Sequence, residues 1–425
     1  MSSARFSQIA ASTTPATSQP ARAPRRSSRS VAFATAVLAF AVVMMGTTLP
    51  TPLYAIYADD LGFGLVTTTI IYAVYAAGVA VALIIFGRWS DVVGRKPLLL
   101  AGAMLSIASA VVFLSAGTVW QLMAGRILSG LSAGIYAGAA TATVIELAPE
   151  SWKSRAPAVA TAANIGGLGL GPLLAGLLAQ YGPAPLHTSF IVDLVLLTVV
   201  GVGIWYISDP VDVTPGARPA VQKLSVPTNM RSVFTRAAIA AFAGFAVTGS
   251  FAGVAPSFVS HIIGIESHAV AGALVATLLL CSALAQIAGR RVATDRALIS
   301  GCALLAIGVL LVVVGLGAES FTFLAVGAMI SGIGQGLSFS KGLSAVLAAS
   351  PTHRRAEVTS AYFLVAYAAI SLPIVGQGMA AAYWGLQTAG IILNVAVAVL
   401  TLAALIWTVV AARASRGGYR SPSSS

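Results

Sequence analysis

Twelve runs of about 20 or more apolar residues, separated by short polar gaps, dominate what this chain can fold into. They cover 31–56, 64–87, 97–116, 118–148, 156–180, 188–208, 237–260, 268–289, 297–317, 320–348, 357–380 and 386–412. A helix rises about 1.5 Å per residue, so roughly 20 apolar residues cross the hydrocarbon of a bilayer. The runs are continuous rather than alternating, which predicts helices and not the strands of a barrel. Only 8% of the 425 residues are charged, and the mean hydropathy is +0.91. So few polar side chains cannot cover a water-soluble globule of this size, whereas lipid asks only that backbone groups be satisfied internally. The expected fold is all-α and integral to the membrane, with twelve transmembrane helices.

Basic residues orient the runs. With residues 1–30 in the cytoplasm, all but two of the 24 Lys and Arg fall in the tails or in gaps on the cytoplasmic side. The exceptions, Arg126 and Lys341, lie inside runs, while Asp59, Asp60, Glu266 and Glu319 fall in outer gaps. This is the positive-inside pattern, and it places both termini in the cytoplasm. The same distribution argues against nucleic acid as a partner, because the basic residues do not share one soluble surface. Residues 1–30, with Ala, Ser, Pro and Arg but no acidic residue, are expected to form a disordered basic tail, and 413–425 a second tail. The longest gap, 209–236, holds prolines and basic residues. It is expected to be a cytoplasmic linker between two bundles of six helices, 31–208 and 237–412.

The second half echoes the first. Arg126–Pro149 (RILSGLSAGIYAGAATATVIELAP) aligns without a gap to Ala328–Pro351 (AMISGIGQGLSFSKGLSAVLAASP). Ser129, Gly130, Gly134 and Pro149 then meet Ser331, Gly332, Gly336 and Pro351. Each segment is the fourth run of its half. Duplicated halves predict a transporter with its site between them. Charges inside runs are costly in hydrocarbon and point to that site. They are Arg126 in the fourth run, Asp193 in the sixth and Lys341 in the tenth, whereas Glu146, near the inner end of the fourth run, reads as a structural partner for loop arginines. Arg126 and Lys341 stand opposite alanines, Ala328 and Ala139, in the alignment, so neither charge belongs to the repeat. Arg126 and Asp193 differ in depth by about one turn, and they are expected to form a protonation-sensitive pair. Tyr54, Tyr136, Phe245, Gln335 and Tyr362 are the further candidates for lining a cavity.

No cluster for catalysis stands out. Cys281 and Cys302 lie far apart inside apolar runs, and His187, His261, His268 and His353 are dispersed near run ends. Neither zinc spacing nor an acid–base pair is visible, so the chain reads as no enzyme, with no metal and no cofactor. Two short stretches do carry a pattern. Between the second and third runs, GRWSDVVGRK crowds charge around Gly87 and Gly94, which permit tight turning. Asp91 and Arg95 there are four apart and can pair in a helical turn. In the fifth run, GLGLGPLLAG places Gly167 and Gly171 one turn apart, followed by Pro172 and Gly176. Small residues let a neighbouring helix pack closely, and the proline can bend the helix.

These stretches resemble the major facilitator superfamily, and within it the twelve-helix drug:proton antiporter branch. Gly87, Asp91, Gly94, Arg95 and Lys96 match that family's loop signature G-x-x-x-D-x-x-G-R-[KR]. Gly167, Gly171, Pro172 and Gly176 match its antiporter signature G-x-x-x-G-P-x-x-G-G, with Ala175 replacing one glycine. LPTP (Leu49–Pro52) and RILSG (Arg126–Gly130) are similar to that branch as well. The second-half copy of the loop, Gly289–Arg296, is shorter and lacks the Asp-x-x-Gly spacing. The resemblance implies alternating access and proton-coupled efflux of small amphipathic compounds from a cell membrane, with a small-molecule substrate and protons as partners. The charge crowded into the 87–96 loop is itself expected to latch the inner gate, with Asp91 facing the positive start of the eleventh helix near Glu357. The resemblance also implies that the fifth helix packs across the halves on the eighth, at Gly272, Ala276 and Ala283. A proton-linked importer of a sugar or organic anion is the nearest alternative, and a membrane sensor without transport is another.

Overall fold

A computed structural model describes residues 26–87, 89–210 and 224–417, without the side chains of residues 26–28, Asp91 and 413–417. The expected tail at 1–25, Arg88, the linker core at 211–223 and the final residues 418–425 lie outside it. Twelve helices are long and apolar enough to cross a membrane. They are α1 (Arg29–Leu61), α2 (Leu65–Phe86), α3 (Arg95–Leu114), α4 (Val119–Leu147), α5 (Ala156–Tyr181) and α6 (Pro185–Tyr206). The second half holds α7 (Thr228–Gly253), α8 (His268–Arg291), α9 (Thr294–Gly317), α10 (Phe321–Ala349), α11 (Thr352–Trp384) and α12 (Leu386–Ala412). Among the described residues there is no strand. An even number of crossings puts the two ends of the helical region on one face, here called the terminal face.

Two helices depart from the expected runs. α1 is helical to Thr48, tightens into a 3-10 turn at Thr51–Leu53, and resumes as Tyr54–Leu61. Pro50 and Pro52 cause the interruption, because neither has an N–H to continue the ladder. α7 stops at Gly253, and a separate short helix, Ala255–His261, follows with Pro256 in its first turn. The run at 237–260 was expected to be continuous, so this is a correction. Each half thus opens with a helix broken at its end away from the terminal face, a symmetry expected of a duplicated chain. α7 also begins earlier than expected. Residues 228–236, assigned to the linker from sequence, are helical, because Met230 is buried and Phe234 packs edge-on against Tyr362 at 6.3 Å. The last helix likewise continues beyond 412, to Gly417.

The aligned glycines do the same work in both halves. Gly130 and Gly134 bring α4 onto the backbone of α2 at Gly78 and Val79. Gly332 and Gly336 bring α10 onto α8 at Leu278 and Ser282. Helices approach this closely only where no Cβ intervenes.

Contact between the halves runs through α5 with α8 and α2 with α11. Away from the terminal face they share one core, with Leu53, Tyr54 and Ile71 from the first half and Phe251, Phe258 and Ile374 from the second. Toward the terminal face the cores separate. Phe40, Tyr136, Val144 and Leu197 belong to the first half, and Met230, Phe339, Val346 and Tyr362 to the second. The molecule is therefore closed on the face away from the termini, and its halves part toward the other.

The glycines of α5 divide between two neighbours. Gly167 and Gly171 face α1 in the same half, against Ala41, Met44, Met45 and Thr48. Gly176 faces α8, where an added methyl would lie 2.5 Å from the His268 carbonyl oxygen and 3.2 Å from Gly272. Gly169 packs on Leu280 and the Pro172 carbonyl on Gly272. The expectation that the Gly167–Gly171 face meets the other half is corrected by helical geometry. Positions 169, 172 and 176 follow i, i+3, i+7 spacing and share one stripe, while 167 and 171 lie on another. α5 remains continuous through Pro172. The carbonyl of Leu168, which loses its helical donor to that proline, accepts from the Thr48 hydroxyl at 2.8 Å.

This division separates two substitutions. Gly171→Leu overpacks one bundle and is expected to destabilise it by about 1–3 kcal/mol, read as a lower melting temperature in detergent. Gly176→Leu strikes the seam between halves and should leave each bundle folded while opening the closed face. Thr69, packed under Gly378, reports that opening when replaced by cysteine in a background without Cys281 and Cys302. Unchanged labelling of Thr69→Cys in the Gly176→Leu protein would refute the seam assignment.

Candidate functional site

The break in α1 exposes the negative end of a helix inside the core. Arg126, carried by α4 and 0% exposed, is turned onto that end. Its Nη1 donates to the Thr47 carbonyl at 2.5 Å, and its Nε donates to the hydroxyl of Tyr54, the first residue of the resumed helix. The guanidinium also lies over three rings, 5.0 Å from the centroid of Tyr54, 5.5 Å from Tyr72 and 5.6 Å from Tyr75. A cation is favoured at a helix C-terminus and against aromatic faces. Nη2 has no hydrogen-bond partner among the described residues, and no carboxylate there lies within ion-pair distance of Arg126.

Asp193 on α6 is 3% exposed. Its carboxylate rests against Gly46 of α1, where an added methyl would sit 2.8 and 2.9 Å from its two oxygens. Its Oδ1 has no hydrogen-bond partner among the described residues. The expected ion pair between Asp193 and Arg126 is thus not formed. Similar depth does not fix the direction in which a side chain points. The two charges reach α1 at consecutive residues, Gly46 and Thr47, which a helix turns about 100° apart. Gly46 is what lets the carboxylate come so close.

The other charged candidate, Lys341, is committed elsewhere. Its ammonium donates to the Arg290 carbonyl at 3.3 Å and the Val292 carbonyl at 2.7 Å, at the terminal-face end of α8. A cation there satisfies carbonyls that a helix leaves open. Tyr136 is wedged between α3 and α4, with its hydroxyl on the Leu99 carbonyl at 3.0 Å and its ring against Gly102. Tyr362 is buried, with its hydroxyl on the Phe339 carbonyl at 3.2 Å. Gln335 packs on Gly244 and accepts from Ser282 at 2.5 Å. Phe245 alone of these aromatic candidates is only half-buried.

The 87–96 loop is braced within the first half. Arg95 forms a two-pronged pair with Glu146 of α4, Nη2 to Oε1 at 2.8 Å and Nε to Oε2 at 3.1 Å. Its Nη1 donates to Ser90 at 2.5 Å. Gly94 adopts φ 103°, a conformation open to glycine and strained for other residues. Asp209, just past α6, then caps α3, accepting from the backbone N–H of Arg95 at 3.2 Å and of Lys96 at 3.1 Å. Lys96 donates in turn to the Trp205 carbonyl at 2.6 Å. Gly87 ends α2. The side chain of Asp91, expected to face α11, lies outside the described residues.

Several of these partners were missed from sequence. Tyr72 and Tyr75 were legible as an i, i+3 pair of polar aromatics in an apolar run. Asp209 was assigned to the linker because its partners are backbone amides, which no side-chain pattern shows.

Comparison with known proteins agrees with this architecture. The family model of the Major Facilitator Superfamily matches residues 36–372. The class E tetracycline resistance protein of Escherichia coli is 25% identical over 155 residues, 32% of this chain and 38% of that protein. The multidrug resistance protein MdtL of Escherichia coli O139:H28 is 40% identical over 77 residues, 18% of this chain and 20% of its own. The chain therefore aligns with well under half the length of these relatives. Among solved structures, a POT family transporter in complex with 5-aminolevulinic acid superposes with a TM-score of 0.71, at 16% identity, over 89% of this chain and 96% of that one.

The brace around Arg95 has an internal ranking. Glu146→Gln removes the carboxylate charge from the two-pronged contact with the largely buried Arg95 guanidinium and is expected to cost roughly 1–3 kcal/mol, between the ranges for exposed and buried pairs. Asp209→Asn keeps an acceptor at the helix end and is expected to cost about 0.3–1 kcal/mol. Thermal unfolding of the purified proteins checks the order; an Asp209→Asn protein as unstable as Glu146→Gln would contradict it.

Proposed function

Because the chain belongs to the Major Facilitator Superfamily, we propose that it is a secondary active transporter, not an enzyme, which exports small amphipathic compounds in exchange for protons. The observation that carries the coupling is a pair of buried charges, from α4 and α6, that meet α1 at adjacent residues. Arg126 holds the broken end at Thr47, and Asp193 rests on Gly46, the residue before it. Protonation removes the charge on Asp193. α1 can then move relative to α6, and Arg126 keeps or releases the break accordingly.

At that depth the other ionisable groups among the described residues are Arg126 and the tyrosines that flank it, Tyr54, Tyr72 and Tyr75, with no second carboxylate among them. α1 offers only Arg29 on its terminal-face side of the break, α3 only Arg95 and Lys96 at its terminal-face end, and α5 only Tyr181 at its far end. On α6 itself, His187 and Tyr206 lie near opposite ends. Across α1, Arg126 holds Thr47, the residue next to the Gly46 that Asp193 touches. The names of the relatives support efflux of drug-like compounds, and the positive-inside pattern supports a cytoplasmic terminal face in a cell membrane. On this reading the structure is the inward-facing state. The loop of Gly87, Asp91, Gly94, Arg95 and Lys96 closes the inner gate, Asp91 meeting the positive end of α11 beside Arg354 and Arg355.

The coupling assignment has a direct check in proteoliposomes, with a compound first identified by growth-inhibition screening of strains with and without the gene. Asp193→Asn should abolish accumulation driven by an imposed pH gradient while leaving downhill exchange within about twofold of wild type. Proton-driven accumulation that survives in Asp193→Asn would rule out this carboxylate as the coupling site.

A further inference from the structure

Resting on the transport reading, we propose that the cleft between the halves recognises an aromatic compound with one negative charge. Its ring lies against Phe245, Phe363 and Tyr367, and its acidic group is directed toward Arg126. These three aromatics stand where the cores of the molecule meet. Phe245 packs against both the shared core and the second-half core. Phe363 packs against the first-half and second-half cores, and Tyr367 against the shared and first-half cores. All three are only half-buried.

The platform is rigid from behind. Phe339 meets Phe245 edge-on at 4.9 Å and Phe363 at 5.8 Å, and it stacks on Tyr362 at 5.6 Å. Rings fixed in this way lose little freedom when a planar ligand arrives, and stacked or edge-on pairs add about 0.5–1.5 kcal/mol beyond burial. None of the three side chains carries a formal charge, so the platform suits an uncharged ring system.

Charge comes from one side. Tyr367 packs against the shared core that holds Tyr72 and the first-half core that holds Tyr75, and the rings of those two tyrosines flank Arg126. The other intramembrane charges are accounted for. Lys341 is spent on the end of α8, and Asp193 contacts α1 at Gly46, a different residue from the one Arg126 holds. The helix end at Thr47 offsets only about half of the guanidinium's charge. A buried cation short of a counter-ion gains from an incoming anion and repels a cation. The unpartnered Nη2 is the donor left for it.

Three probes of one shape and different charge test this: 2-naphthoate, the neutral 2-naphthamide and the cationic 2-naphthylmethylamine. Binding is measured on the purified full chain in detergent, without a gradient. Naphthoate is expected to bind at least about tenfold tighter than the amine. Arg126→Gln should bring the two within about twofold, and Arg126→Lys, which keeps the charge, should preserve the order. Phe363→Ala and Phe245→Ala should weaken all three probes by about three- to tenfold with the charge order intact. Melting curves verify that each variant is folded. The proposal is overturned if naphthoate shows no binding up to millimolar concentration, if the amine binds as tightly, or if the charge order survives in folded Arg126→Gln. Because no gradient is present, failure of proton coupling does not alter these outcomes. Conversely, naphthoate binding without proton-driven flux overturns the coupled-transport reading alone.

Discussion

A backbone inside hydrocarbon has no water to complete its hydrogen bonds, so every interruption of a helix must be answered by protein. The centre of this molecule is one such answer. Pro50 and Pro52 break α1 where two half-helices meet, and the side chain that closes the gap is Arg126. The arginine satisfies a carbonyl, complements the helix dipole and is sheltered by three tyrosine rings. A full charge at this depth would be costly if it served nothing. Here it ties α4 to both pieces of α1, so a change in its environment reaches two helices at once.

The same accounting explains the seam. Pro172 denies α5 a donor, and Thr48, in the last turn before the break, supplies one to the Leu168 carbonyl. α5 is thereby fastened to α1 through Gly167 and Gly171, while its other stripe meets α8 across the halves. One helix thus couples the broken α1 to the opposite bundle. Both stripes bring glycines against backbone carbonyls of a neighbouring helix, at Ala41 and Met45 of α1 and at His268 of α8, so at Gly167, Gly171 and Gly176 there is no room for a side chain.

At the terminal face the forces are electrostatic rather than steric. Arg95, Glu146 and Asp209 bind the ends of α3, α4 and α6 into one piece, so the first half can move as a rigid body. The hold is partly exposed to solvent, unlike the core around Arg126, and its members lie in loops and helix ends. Among the described residues, the shortened loop of the second half shows no matching ion pair. Lys341 instead ties α10 to the end of α8. The duplicated scaffold is therefore shared between the halves, while the charges that act on it differ.

What the sequence determined by itself was whatever depends on composition and spacing along one helix. Twelve spans followed from the length of apolar runs, the duplication from aligned glycines, and the family from the loop and the Gly-Pro stretch. Arg126, Asp193 and Lys341 were visible as charges in the wrong solvent. Tertiary structure alone decided where those charges point. Arg126 and Asp193, matched in depth, meet consecutive residues of α1 and not each other, and Lys341 serves a helix end. The split of the α5 glycines, the break in α7 and the cap from Asp209 were likewise settled by neighbours. Depth in a membrane is set by position along the chain, which a sequence displays. Azimuth is set by which helices pack together, and that depends on shapes brought close from distant parts of the chain.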